Sequence, residues 1–260
     1  MNLRSLIAKP LYGAYDRRLL RNLDRTLLPH HVGVIHDGHR RFARAEGLPD
    51  FTAGYRMGMA KFVEFLQWCD DLEIQAVTCW LLSEQNLERP AEELAPYFDV
   101  LIELFEQIPN EAVSGDLNVR FIGSLDLLPG PLVEAAKHLE DRCSSGSRRL
   151  TIALAYGGRR EIVDATKDLV AKLAAEGVSA SDMASHVDAD AIASHLYTAD
   201  LPDPDLVIRT SGEARLSGFL LWQSAYAEYV FVDVFWPAFR HIDFLRAMRD
   251  YTRRERRFGK

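Results

Sequence analysis

The stretch His31-Val32-Gly33-Val34-Ile35-His36-Asp37-Gly38-His39-Arg40-Arg41-Phe42 carries the reading that decides the fold. Residues 31–36 form a short, largely apolar run with β-branched side chains, the pattern of a strand buried on both faces. The run stops at an Asp-Gly pair, where glycine lets the backbone come close to a ligand. A polar, arginine-bearing helix start follows. Working outward, the same unit recurs. Similar runs lie at 74–82, 117–122, 150–155, 206–210 and 229–234, and helical periodicity is clearest at 58–69, 94–108, 132–143, 161–173 and 244–254. Alternation of this kind predicts an α/β fold, a single domain with a mainly parallel central sheet of about six strands flanked by helices. Residues 176–182 read as a surface connection between helices and do not split the chain.

The 260 residues are 48% apolar and 27% charged, enough for one large core. A formal charge of −7 argues against a general nucleic-acid binder, which needs a basic face for phosphates. Any anion site must then be local. Cys69, Cys79 and Cys143 are odd in number and lack C-x-x-C spacing, so neither a zinc site nor a disulfide framework is indicated, and a reducing, cytoplasmic setting fits. No apolar run approaches the roughly 18 residues of a membrane span, and the start lacks a signal-peptide pattern. Residues 1–28 set Arg4, Lys9, Arg17, Arg18, Arg21 and Arg25 against Asp16 and Asp24, with leucines interleaved. This basic amphipathic segment reads either as a helix packed on the domain at 29–260 or as a peripheral contact with anionic lipid.

Ligands of open parallel sheets sit outside the carboxyl ends of strands, and three strand ends here are polar and carry arginine. They are residues 36–41, 83–90 and 209–217. Arg209 and Arg215 flank a Ser/Gly/Glu turn, and guanidinium forks match phosphate oxygens. Backbone amides and the hydroxyls of Thr210, Ser211 and Ser217 are candidates to complete that cradle. A surface turn with incidental ion pairs is the alternative. After Gly38, the amides of a helix start together with Arg40 and Arg41 suit a second anion. Asp37 would be repelled by that anion unless a cation lay between them, which implies a shared Mg²⁺; the other reading makes Asp37 a helix N-cap. Glu228, in a mostly apolar neighbourhood, calls for a metal or an arginine. Ser83 and Asn86 are available for hydrogen bonding. At helical spacing, Leu94, Tyr97, Phe98, Leu101, Ile102, Leu104, Phe105 and Ile108 suit a core, an apolar cavity wall, or a mixture of both.

The segments Asp37-Gly38-x-x-Arg41, Ser83-x-x-Asn86-x-x-Arg89-Pro90, Tyr156-Gly157-Gly158-Arg159, the run from Asp205 through Arg209-Thr210-Ser211-Gly212-Glu213-x-Arg215-Leu216-Ser217, and Phe219 onward to Glu228 together resemble the cis-prenyltransferases, the undecaprenyl diphosphate synthase family. Among its members, the chain is most similar to short-chain actinobacterial enzymes that make Z-farnesyl diphosphate. The resemblance implies a homodimer that joins an allylic diphosphate (dimethylallyl, geranyl or farnesyl) to isopentenyl diphosphate with Mg²⁺, giving a cis double bond and a product of roughly fifteen carbons. It implies that Asp37 positions the metal, with Glu228 as the second metal position. Gly38, His39, Arg40, Arg41 and Arg89 would hold the allylic diphosphate, with Phe42 and Leu87 alongside. Arg209, Arg215, Leu216 and Ser217 would hold isopentenyl diphosphate. Asn86 and Ser83 match residues that assist proton removal, and Arg257-Phe258-Gly259 matches a tail reaching the partner's site. Leu81 and Leu82 are bulky where long-chain relatives tend to be more open, so a short product is expected.

Against the family's usual Asp-Gly-Asn-x-Arg-Trp, this chain has His39 and Phe42 for the asparagine and tryptophan. Gln85 stands where an acid is frequent, Leu87 for an aromatic and Tyr55 for a histidine. These changes cluster at the allylic site and keep open an irregular, branched coupling of two allylic diphosphates of the lavandulyl type, with His39 as base or shape element. A non-catalytic subunit of a heteromeric prenyltransferase is a further alternative, although Asp37 and the arginines are all present. A generic nucleotide binder lacks its fingerprint, since Tyr156-Gly157-Gly158-Arg159 is too short for G-x-G-x-x-G or a P-loop.

Overall fold

Strand β1, His31–Ile35, is buried at every position because it runs through the middle of a six-stranded sheet covered on both faces. The computed structural model describes residues 16–254. The other strands are β2 (Ala76–Trp80), β3 (Leu117–Ile122), β4 (Arg148–Ala153), β5 (Leu206–Arg209) and β6 (Glu228–Phe231), in the order β3-β4-β2-β1-β5-β6. Every pairing is parallel. After a helical stretch at 16–21, the α-helices among the described residues are α1 (His39–Ala45), α2 (Phe51–Asp71), α3 (Ala91–Gln107), α4 (Gly130–Arg142), α5 (Gly158–Ala175), α6 (Ala189–Ala193) and α7 (His241–Thr252). The expected parallel α/β architecture is therefore present. The strands differ from the sequence reading by a few residues at their ends. Leu81 and Leu82, for example, leave β2 because both amides bond to the carbonyl of Ala153. Helices α1 and α6 are too short to show apolar periodicity.

Two features of this order place the site. After β1 the chain builds β2, β3 and β4 on one side, then returns to lay β5 against the other side of β1, with Ile35 opposite Arg209. The strand order thus reverses between β1 and β5, and at such a switch point the loops leaving the carboxyl ends part to form a crevice. The second feature is α2, whose Tyr55, Met59, Phe62, Leu66 and Cys69 recur every three or four residues and form one buried stripe. Asp50 caps the helix by accepting from the Ala53 amide at 3.0 Å. The main core lies between α2, α3, α7 and the sheet. Leu19 and Leu23 join it, and Asp16 lies 3.6 Å from His241, so the described part of residues 1–28 packs on the domain. Residues 1–15, which carry much of the proposed lipid contact, lie outside the described residues. No described helix is long and apolar enough to cross a membrane.

His31 opens β1 fully buried, with Nδ1 2.7 Å from the Pro202 carbonyl and Nε2 2.8 Å from Thr78 Oγ1. Burial pushes its imidazole below the ordinary 6.5. Below that pH the unfolded chain takes up a proton that the folded chain refuses, so stability falls as pH drops, by up to about 1.4 kcal/mol per pH unit for each such group. Burial lowers His36 and His39 in the same sense. Thermal melts from about pH 7 to about pH 5 should show a falling midpoint, with a shallower slope in His31→Asn.

Candidate active site

The bend after β1 is locked from the far side of the crevice. The Asp37 amide donates to Thr210 Oγ1 at 3.0 Å, and the Thr210 hydroxyl donates back to the Asp37 carbonyl at 2.8 Å. The same carbonyl accepts from the Trp236 amide at 3.0 Å. Thr210 is thus occupied in holding Asp37 and is not a free phosphate ligand. Gly38 then takes φ 107°, and a Cβ there would meet the Phe235 ring at 2.7 Å, so glycine is required twice over. Gly38 itself is the N-cap of α1, so Asp37 does not cap that helix. Its carboxylate accepts from Arg41 Nη2 at 3.0 Å on one oxygen and from Arg209 Nη2 at 2.8 Å on the other. Burial alone would raise the carboxyl, but the hydrogen bonds and charges of Arg209 and Arg41 outweigh it and hold Asp37 below the ordinary 3.8.

Residues 209–217 are more than a surface turn. Arg209 is only 4% exposed. Besides Asp37, it donates through Nη1 to Ser217 Oγ at 2.8 Å and to the carbonyl of Arg215. Ser211 and Gly212 both take left-handed backbone, and their amides bond to the carbonyls of Val234 and Val232. This folds the loop back over the end of β6 and turns Glu213 toward α1. Glu213 then bridges the two halves of the crevice, with Oε1 2.8 Å from Arg41 Nη1 and Oε2 on Arg215. Ser211 Oγ also accepts from Arg41, at 2.8 Å. The bridging role of Glu213 is not evident from sequence, because its partner lies 172 positions away.

Asp37, Gly38, His39, Arg40, Arg41, Asn86, Arg89, Glu213 and Arg215 border one cavity of about 460 Å³. With Arg44, its wall has five arginines against two carboxylates in a chain of net negative charge, the local cationic field expected of an anion site. Burial, then the like charge of Arg40, lower the guanidinium of Arg89 from its ordinary 12.5. An arriving anion would relieve both. Asn86 Oδ1 accepts from Arg89 Nη2 at 2.6 Å, and Arg40 pairs with Glu93 at 2.6 Å. The buried side chains of its wall are those of His36, His39, Tyr55, Tyr97 and Leu81. The Tyr97 hydroxyl donates to the Leu81 carbonyl at 2.6 Å, and the Tyr55 and Tyr97 rings lie 4.7 Å apart. The His39 ring fills the space above Gly58, where a Cβ would come within 2.2 Å of it. Burial drives its imidazole down to about 4 against the pull of Asp37, leaving it neutral with Nε2 unpartnered.

Other expected site residues fall elsewhere. Phe42 is buried on the core side of α1 and Leu87 packs against the main core, both away from the cavity wall. Leu216 is half-buried between the two arginine-binding residues. Ser83 caps a short 3₁₀ turn by accepting from the Asn86 amide at 3.2 Å. Of the residues proposed as core or cavity wall, Tyr97 lines the cavity; Leu94, Leu101, Leu104, Phe105 and Ile108 are core. Leu81 borders the cavity and Leu82 does not. Glu228 stands apart from Asp37 within the single chain. It opens β6 opposite Leu206 and pairs with Arg254, whereas Asp37 meets Arg209 at the carboxyl end of β5. Three residues of strand, roughly 10 Å at ~3.3 Å per residue, separate the two ends, so one chain does not bring Glu228 to Asp37. Residues 257–259 lie outside the described residues.

Among the described residues no three His, Cys, Asp or Glu side chains gather into a metal cage. Mg²⁺ does not need one, because it is commonly held by one or two carboxylates while substrate phosphates supply further oxygens. An ionised Asp37 on the wall of a cationic cavity fits that use.

A family model described as "Putative undecaprenyl diphosphate synthase" matches residues 35–259. The (2Z,6E)-farnesyl diphosphate synthase of Thermobifida fusca is 50% identical over 98% of this chain and 99% of its own length. The short-chain Z-isoprenyl diphosphate synthase of Mycobacterium bovis is 46% identical over 98% and 97%. Among solved structures, lavandulyl diphosphate synthase from Lavandula x intermedia, in complex with dimethylallyl diphosphate, superimposes with a TM-score of 0.82 at 30% identity, over 90% of this chain and all of that one. The family match over residues 35–259, with relatives up to 50% identical along nearly the whole chain, places this protein in the undecaprenyl diphosphate synthase family of prenyltransferases.

Proposed function

We propose that the protein is a short-chain cis-prenyltransferase that joins an allylic diphosphate to isopentenyl diphosphate and makes a Z-prenyl diphosphate of about fifteen carbons. The observation that carries this reading is Asp37 held between Arg41 and Arg209, one from each side of the crevice. The allylic diphosphate occupies the cavity under Arg41 and Arg89, and isopentenyl diphosphate is held by Arg209, Arg215 and Ser217. Bound at Asp37, Mg²⁺ would supply positive charge to the departing diphosphate. The arginines stabilise the same developing charge in a site whose geometry is already set. The allylic carbon–oxygen bond breaks, the double bond of isopentenyl diphosphate attacks that carbon, and a proton leaves to form the cis alkene. Asn86, seated by Ser83, holds Arg89, and the diphosphate oxygen oriented by Arg89 takes the proton.

The buried wall residues His39, Tyr55, Tyr97 and Leu81 support a short product, as does the likeness to the short-chain relatives above. Leu81→Ala is expected to lengthen the product. Leu82→Ala removes core volume instead and should cost about 2–5 kcal/mol without changing length. Mass spectrometry and thermal melts separate the two. A homodimer is part of the proposal. Strand β6 is an edge strand, with its last residue Phe231 and the preceding Tyr226 (83% exposed) uncovered in the single chain. A metal role for Glu228 is tenable only across such a dimer. Three free, buried cysteines support a cytoplasmic setting.

The likeness to lavandulyl diphosphate synthase, together with His39 and Phe42, favours one second reading, the coupling of two dimethylallyl units. Product identification by mass spectrometry tests both. The purified protein is given Mg²⁺ with dimethylallyl, geranyl or farnesyl diphosphate, with and without isopentenyl diphosphate. The proposed function requires product only when isopentenyl diphosphate is present; product from dimethylallyl diphosphate alone selects the second reading.

A further inference from the structure

The Tyr156-Gly157-Gly158-Arg159 motif borders no part of the cavity, yet it abuts the loop that carries Ser217. That loop does not hold its own shape. Ser217 has φ 53°, Gly218 96° and Leu220 44°, so two residues with side chains sit in the left-handed region that they ordinarily avoid. Such a turn persists only when its surroundings fix it.

The fixing contacts come from the start of α5. The Gly158 amide donates to the Gly218 carbonyl at 2.9 Å. The two peptides pass so closely that a Cβ on Gly158 would lie 2.6 Å from that oxygen and 3.0 Å from Leu221 Cγ. One turn on, the fully buried Glu161 carboxylate accepts from the Tyr156 hydroxyl at 2.5 Å, the Tyr197 amide at 2.9 Å and Gln223 Nε2 at 2.9 Å. Gln223 also donates to Thr198 Oγ1 at 2.9 Å. The 217–223 segment is therefore pinned at both ends, by the Gly158 peptide at one and by Glu161 at the other. Ser217 Oγ in turn receives Arg209 Nη1.

We propose that the segment from Tyr156 to Glu161 is a positioning brace: by pressing the Gly158 peptide against Gly218, it fixes the backbone of Ser217 and so aims Ser217 Oγ and the Arg209 fork at one diphosphate. It acts on binding of that substrate and leaves the other clamp unaffected. The inference rests on the assignment of Ser217 to a diphosphate clamp.

Steady-state kinetics with both substrates varied, alongside thermal melting, tests it in Gly158→Ala, Gly218→Ala, Ser217→Ala and the double variant Gly158→Ala with Ser217→Ala. Gly158→Ala intrudes on the contact from one side. Gly218→Ala meets no atom within 4 Å and strains only the turn, so it serves where Gly158→Ala does not fold. Both are expected to raise by about tenfold the KM of whichever substrate Ser217→Ala affects, with the other KM within about twofold and kcat little changed. The double variant should be no worse than Ser217→Ala alone, because the brace acts through Ser217. Losses that multiply in the double variant, or equal rises in both KM values, overturn the brace. If Ser217→Ala raises the allylic KM instead and Gly158→Ala follows it, the substrate assignment falls and the brace stands. If Ser217→Ala moves neither KM, both fall.

Discussion

Asp37→Asn should lower kcat/KM by about a thousandfold, since loss of one preorganised electrostatic element commonly costs that much, and should lower the melting temperature without unfolding the protein, since the buried Arg209 loses its counter-charge. The fold survives because Asp37 is held through its backbone, by Thr210 and the Trp236 amide, and neither contact uses the carboxylate. What is lost is the charged oxygen donor proposed for Mg²⁺ and the counter-charge for Arg41 and Arg209. The two losses act oppositely on anions. With asparagine in place, the arginines are less neutralised, so inorganic diphosphate without Mg²⁺ should bind at least as tightly as to the parent. Calorimetry with inorganic diphosphate beside steady-state kinetics would show chemistry falling without affinity. A parallel loss of both would mean that Asp37 merely shapes the site.

Arg209→Ala is expected to reduce kcat/KM by a comparable factor and also to destabilise the protein by about 3 kcal/mol, because removing one member of a buried ion pair leaves the other uncompensated. Arg209 is buried at the end of β5 and serves Asp37, Ser217 and the Arg215 carbonyl from one planar fork. Lysine presents a single point charge and cannot reach all three. Arg209→Lys should therefore recover part of the melting temperature and little of the turnover. Chemical denaturation and kinetics on the two variants separate the structural share of the arginine from its share in catalysis.

How much of this could be read from the sequence depends on how locally each feature is encoded. The course of β1 and the turn at Asp37-Gly38 were legible because a fully buried parallel strand is a continuous apolar run and a left-handed residue calls for glycine. The loop at 209–217 was legible as a cluster of polar and basic residue types within nine positions. The links that join the clamps were not, because they cross the β1–β5 boundary. Thr210 to Asp37 spans 173 positions and Arg41 to Glu213 spans 172, and nothing in a linear pattern says which strands become neighbours. For the same reason Thr210 was read as a phosphate ligand, whereas its hydroxyl is engaged by the Asp37 backbone. Glu228 shows the converse. Its surroundings correctly called for an arginine or a metal, but parallel register puts it at the opposite end of its strand from Asp37, beside Arg254. His39 was visible as a departure from the family pattern, while its burial above Gly58, which keeps it neutral, is a property of the α1–α2 packing.

The central claim is that two diphosphates are held separately, one on each side of the β1–β5 crevice, and the most direct measurement of it is a crossed comparison of Arg41→Ala and Arg215→Ala with both substrates varied. Arg41→Ala should raise the KM of the allylic diphosphate by about tenfold or more, and Arg215→Ala that of isopentenyl diphosphate by a similar factor, each with a much smaller effect on the other substrate. If both variants raise the same KM and spare the other, the two arginines grip a single diphosphate and the two-clamp account is wrong.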